Sequence, residues 1–100
     1  MQTLTILVTY TAKPGMREIF LNEVTASGIL EQIYKEDGCI YYEYYRSVKD
    51  RDTLLLVEKW ESSDHQKRHM QQPHMTLLNH IKERYVSSTE VEQFFANQEK

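Results

Sequence analysis

Four consecutive apolar residues, Leu54-Leu55-Leu56-Val57, lie inside the strand-like run Thr53–Glu61 and set the tightest limit on the fold. Side chains alternate across a strand, so Leu54 and Leu56 need cover on one face, and Leu55 and Val57 need it on the other. Such a strand is central in its sheet. The chain has 100 residues, which fits one domain. A domain of that size buries only about 60–70% of the surface its unfolded chain exposes. Helices can cover one face of the sheet. A second copy of the same sheet is the simplest cover for the other.

The neighbours of that strand are readable from period. Thr3–Thr11 reads T-L-T-I-L-V-T-Y-T, with Leu4, Ile6, Val8 and Tyr10 on one face, which predicts a strand. It stops at Lys13-Pro14-Gly15, because proline lacks the ladder donor and glycine permits the turn. From Met16 the period becomes helical: Met16, Ile19, Phe20, Val24, Leu30, Ile33 and Tyr34 form one stripe. Ser27-Gly28 interrupts that stripe, kinking the helix or opening a new turn. Gly38 suits a left-handed C-terminal position. Cys39–Val48 is tyrosine-rich and strand-like, and forms a hairpin with Thr53–Glu61 across Lys49-Asp50-Arg51-Asp52. Ser63, with Gln66 three residues on, is expected to cap a second helix that Pro73 breaks. A short helical piece over His74–Arg84 and a last strand over Ser87–Phe95 follow. The order is strand, helix, strand, strand, helix, strand. It predicts an α+β, ferredoxin-like β-α-β-β-α-β fold with a four-stranded antiparallel sheet and both main helices on one face. Residues 1–96 form the expected single domain and residues 97–100 a polar tail.

Composition removes several partners. The formal charge is −3 and the basic residues are scattered, so no nucleic acid is expected. No apolar run approaches the roughly 20 residues of a membrane-spanning helix, and no membrane partner is expected. The N-terminal segment does not have the basic-then-apolar form of a secretion signal. With the lone Cys39 unable to form an internal disulfide, a cytoplasmic location follows. His65 and His69 have the spacing of two ligands on one helix face. With no third ligand evident, no metal is expected.

The most specific stretch is Glu58-Lys59-Trp60-Glu61-Ser62, followed by a short His-bearing helix and then Pro73-His74-Met75. Together with Lys13-Pro14-Gly15 and Glu36-Asp37-Gly38-Cys39, it resembles the antibiotic biosynthesis monooxygenase family, above all its small quinol monooxygenase-like members. The resemblance runs from Leu4 to about Phe95. It implies a homodimeric α/β-barrel with two sheets face to face and a pocket in each subunit between sheet and helices. It carries over to Trp60, His69 and His74. Trp60 is equally a core residue, His69 a cation at a helix C-terminus, and His74 a bridge between helices. Of the alternating Tyr41, Tyr42, Tyr44 and Tyr45, two face each side of the sheet, for packing or for hydrogen bonds to a bound aromatic.

The reaction implied is oxidation of a small electron-rich aromatic, such as a quinol, by O₂ with no cofactor. It needs a base near neutral pKa and a dry aromatic pocket. His74 or His69 is the candidate base, Trp60 the pocket wall, and Tyr10, Tyr44 and Glu58 the orienting groups for a small aromatic or quinone-like ligand. Haem-degrading relatives use a first-strand asparagine that Thr3–Thr11 lacks. Anthrone-oxidising relatives carry an asparagine where this chain has Leu56. The alternatives are isomerisation of a small phosphorylated sugar-like metabolite and a non-catalytic, stress-associated ligand-binding dimer.

Overall fold

The computed structural model describes residues 2–97. Strand β1 (Gln2–Ala12) is followed by helices α1 (Arg17–Ala26) and α2 (Ile29–Tyr34). The hairpin β2 (Cys39–Arg46) and β3 (Thr53–Trp60) comes next, then α3 (Ser63–Met70), α4 (Pro73–Tyr85) and β4 (Val86–Asn97). The sheet is antiparallel in the order β2-β3-β1-β4. The strand with four apolar residues is thus internal, as its double-sided pattern requires. The last strand extends one residue earlier and two later than Ser87–Phe95 and takes in Asn97, the first residue of the expected tail. Residues 98–100 of that tail lie outside the described residues.

Register sorts the side chains into two faces. Leu4, Ile6, Val8 and Tyr10 of β1 and Leu54, Leu56, Glu58 and Trp60 of β3 are buried beneath the helices. Phe20, Val24, Ile29, Ile33, Met75, Leu78 and Ile81 press down on them from above. The other face, with Leu7, Leu55 and Val57, is only half-buried. The tyrosines divide as their alternation implies. Tyr42 and Tyr44 pack with the core, while the hydroxyls of Tyr41 and Tyr45 meet the Glu43 carboxylate on the open side.

Two local features differ from the sequence expectation. The stripe from Met16 to Tyr34 is two helices, because Gly28 takes a left-handed φ of 81° that ends one and starts the next. The cap of α3 is Ser62 and not Ser63. The extended backbone of Ser62 turns its Oγ toward the helix, where it accepts from His65 N–H at 3.3 Å. Only Ser63 has a Gln three residues on; Ser62, followed there by His65, caps through its own hydroxyl without the reciprocal half of the box.

Candidate functional site: a cleft between the sheet and helices α3 and α4

Pro73 at the first turn of α4 stops α3 and restarts the chain as a new helix. The break brings His74 close to His69, in the last turn of α3. Gly38, with φ 83°, turns the chain from α2 into β2 and leaves Glu36 facing both histidines. The Glu36 carboxylate takes His69 Nδ1 at 3.0 Å to each oxygen and His74 Nε2 at 2.7 Å. A carboxylate only accepts, so both ring N–H groups donate to it. That fixes the proton of a neutral His69 on Nδ1 and leaves the Nε2 lone pair free.

The free nitrogen points into the sheet. His69 is 1% exposed, and its ring lies over Trp60 with centroids 4.5 Å apart and planes 34° apart. Its Nε2 is 3.9 Å from Glu58 Oε1, the same oxygen that accepts Trp60 Nε1–H at 3.1 Å. The result is a continuous chain of groups: His74, Glu36, His69, Glu58, Trp60. Burial pushes the Glu58 carboxyl above the ordinary glutamate range, against the opposing pull of the Trp60 N–H, His69 and Lys82.

Beside this chain is a cleft of about 260 Å³. Ile6, Val8, Tyr10, Tyr42 and Glu58 line it from β1–β3, and His69, Met70, Met75 and Lys82 from the helices; Val91 and Gln93 of β4 complete it. Burial raises the phenols of Tyr10 and Tyr42 well above their usual value, with neighbouring Tyr44 and Glu58 adding to both. Both are therefore neutral hydroxyls around neutral pH. Lys82 Nζ lies 5.7 Å from the centre of the Tyr10 ring.

Of the residues singled out in the sequence, His69, Glu58 and Tyr10 line the cleft. Trp60 is fully buried behind it, stacked on His69, and acts on the cleft through the Glu58 and His69 contacts. His74 is turned to Glu36 and is not a lining residue. Tyr44 packs edge-on against Phe20 and Tyr42, and its buried hydroxyl meets no partner among the described residues. Tyr42, one of four tyrosines read from the sequence as packing or hydrogen-bonding groups, lines the cleft, whereas Glu36 and Lys82, which stand beside it or line it, had no role assigned from the sequence. Glu36 stood in Glu36-Asp37-Gly38-Cys39, a piece of the family resemblance and of the helix end, with no contact to a histidine read from it. Lys82 lies four residues after Leu78 and seven after Met75, on the buried stripe of α4, and that position was the available signal.

The histidine pair at helix spacing is split by its contacts. His65 Nδ1 is hydrogen-bonded with Ser62 Oγ at 2.6 Å, whereas His69 Nδ1 is held by Glu36. Outside the cleft, Asp37, Glu61 and His65 bring one ligand atom each within 4.8 Å of one another. The Arg68 guanidinium already stands 3.8 Å from Asp37. No described helix is long and apolar enough to cross a membrane.

Known proteins share this fold. The fold matches PA3566 of Pseudomonas aeruginosa with a TM-score of 0.84 at 22% identity, covering 98% of this chain and 97% of that one. It also matches a structure from Chloroflexus aurantiacus J-10-fl, titled as a candidate antibiotic biosynthesis monooxygenase, with a TM-score of 0.81 at 17% identity; the match covers 98% of this chain and 96% of that one. In sequence, the chain is 31% identical over 62 residues to YcnE of Bacillus subtilis (strain 168), whose name marks it as a candidate monooxygenase. That match spans 62% of this chain and 63% of the relative. The family pattern described as antibiotic biosynthesis monooxygenase matches residues 3–79, from the second residue of β1 into α4, and so takes in Glu36, Glu58, Trp60, His69 and His74. On that match, the chain belongs to the antibiotic biosynthesis monooxygenase family.

Proposed function

We propose that the domain of residues 1–96 is a cofactor-independent monooxygenase that oxidises a small electron-rich aromatic, such as a quinol, with O₂ in the cleft beside His69. The observation that carries this reading is the His69 imidazole itself. Glu36 holds Nδ1–H, Trp60 covers one ring face, and Nε2 is turned toward the Glu58 side of the cleft. A carboxylate that fixes the tautomer of a histidine makes the opposite nitrogen the base.

In the proposed step, His69 Nε2 takes a hydroxyl proton from the bound quinol. The quinolate passes one electron to O₂, and the resulting radical pair joins at a ring carbon as a hydroperoxide. Loss of water, with the proton returned from His69, leaves a carbonyl at that carbon. One oxygen atom enters the hydroxyquinone product and the other leaves as water, and the substrate supplies all four electrons. Tyr10 and Tyr42 orient the ring oxygens as neutral donors, and Ile6, Val8, Met70 and Met75 keep water away. His74 positions Glu36. The working form in this reading is a homodimer that covers the second face of the sheet.

The test is oxygen uptake with a reduced naphthoquinol, corrected for spontaneous oxidation, alongside circular dichroism of each variant. His69→Gln should lose roughly 10²–10⁴-fold per folded molecule, the usual loss for a positioned base. His74→Ala should lose less, because His69 keeps its own bond to Glu36. Wild-type protein that consumes no oxygen across a panel of quinols would sink the oxidase reading and favour an isomerase or a binding module.

A further inference from the structure

Lys82 is the single cation lining the cleft, and among the described residues it has no carboxylate within ion-pair distance. Its stem lies on the buried face of α4, and its ammonium sits over the Tyr10 ring. Register separates it from the proton-taking end. Glu58 pairs with Ile6, and Tyr10 lies four residues further along β1, opposite Leu54. At about 3.3 Å per residue those two backbone points are roughly 13 Å apart; Glu58 enters the cleft from the first, while Lys82 comes from α4 onto the Tyr10 ring, still near enough to Glu58 for the two charges to influence each other. Lys82 also lines a groove outside the cleft, with Asn79, Ser87 and Thr89, so it stands at the boundary between cleft and solvent.

Size sets a second limit. An engineered apolar cavity of about 150 Å³ holds one benzene. The 260 Å³ here has room for one ring or two fused rings, with substituents, and is short for three. Charge sets a third. The protein carries a formal charge of −3, so its overall field repels anions, and any preference for an anion has to come from a local group. Burial lowers the pKa of the Lys82 ammonium and Glu58 opposes that shift from beyond ion-pair distance, so an anionic ligand in direct contact would further stabilise the charged form.

We infer that Lys82 makes the cleft selective for a one- or two-ring hydroxyaromatic that carries an anionic substituent, with its hydroxyl at His69 and Glu58 and its anion at Lys82. This rests on the proposed function for the position of the hydroxyl and adds the class of substrate.

Binding without turnover isolates the point. Quenching of Trp60 fluorescence can be titrated under argon with 2-naphthol and with 6-hydroxy-2-naphthoate, whose hydroxyl and carboxylate stand at opposite ends of the two rings; Trp60 is the one tryptophan of the chain and stacks on His69. Wild-type protein should bind the carboxylate at least about tenfold more tightly, a typical scale for one charge-assisted contact. Lys82→Gln should bring the two affinities together, and Lys82→Arg should keep them apart. Equal affinities in wild-type protein would overturn the inference even if neither variant folds. A preference that survives in folded Lys82→Gln would overturn it as well. If both ligands bind alike and quinol oxidation proceeds, the selectivity fails and the oxidase reading stands. If neither ligand binds, the inference fails, and the oxygen-uptake assay decides the oxidase reading separately.

Discussion

Glu36 does at this site what no neighbour in sequence could do, since its partners His69 and His74 are 33 and 38 residues away. Its side chain is only 9% exposed, although it follows the end of α2 beside an exposed Asp37. Glu58 is the opposite case, a carboxylate set in a strand among core residues and forced by burial toward its neutral form. Its folded pKa lies above its unfolded value, so between the two the native state holds the extra proton. Stability is therefore greatest below the ordinary glutamate range and falls as pH rises through that window toward the folded value. Glu58→Gln keeps an oxygen for Trp60 Nε1–H but cannot ionise. The melting temperature of the variant should match wild type near pH 4 and rise above it as pH increases toward 8. If wild type instead gains on the variant with rising pH, Glu58 is an anion held by His69 and Lys82. His69, His74 and Trp60 were legible through the family resemblance, Glu58 through its place beside Trp60, and Tyr10 through the alternation of the first strand. Glu36 and Lys82 were not, because a charged residue near a helix end or on a helix reads as solvated until the fold shows what covers it.

Among the elements, two glycines with nearly the same backbone do different work. Gly28 and Gly38 have φ of 81° and 83°, where an L-residue is strained by about 1–2 kcal/mol. A Cβ on Gly28 would meet nothing within 4 Å, whereas one on Gly38 would come within 2.3 Å of the His65 ring. The Gly38 carbonyl also accepts from Glu61 N–H at 2.8 Å, which ties the entry of β2 to the exit of β3. Gly28→Ala should therefore cost about 1–2 kcal/mol. Gly38→Ala should cost about 2–4 kcal/mol, because overpacking against His65 adds to the strain. Urea denaturation of the two variants measures the difference, and equal losses would mean that His65 yields freely. The left-handed role of Gly38 follows from its place after a helical stripe, and the sequence carries it plainly. The contact with His65 depends on how α3 docks over the β2–β3 end, and no local pattern contains that.

At the scale of the whole molecule, the sheet carries an unpaired surface. Leu7 pairs with Val57 and Thr9 with Leu55, so their side chains meet in the middle of the face that the helices leave uncovered. Glu43, Lys59, Glu90 and Glu92 stand around that centre on the partner strands. Phe94, opposite Thr5, extends the apolar area and is 49% exposed. An apolar centre inside a polar rim is the composition of a protein interface, and a small domain gains from covering it. β4 points the same way: it pairs with β1 along its whole length, yet it is exposed beyond its first residue, and its Glu90, Glu92 and Phe94 lie on this same face. In the proposed homodimer a second copy placed sheet to sheet would supply the cover, because the same face is offered by both, the requirement for a twofold contact. Light scattering at micromolar concentration should then give about twice the 12.0 kDa chain mass. Val57→Lys places a charge at the centre of the face, where an unpaired buried ion is costly, and should shift the mass toward one chain. Because Val57 lies on the far side of the sheet from the cleft, the variant keeps the His69–Glu36 contact within each chain. Oxygen uptake by the resulting monomer then reports whether the cleft works alone. A wild-type chain that stays monomeric at that concentration would remove the sheet-to-sheet dimer and leave Leu7, Leu55 and Val57 to another partner.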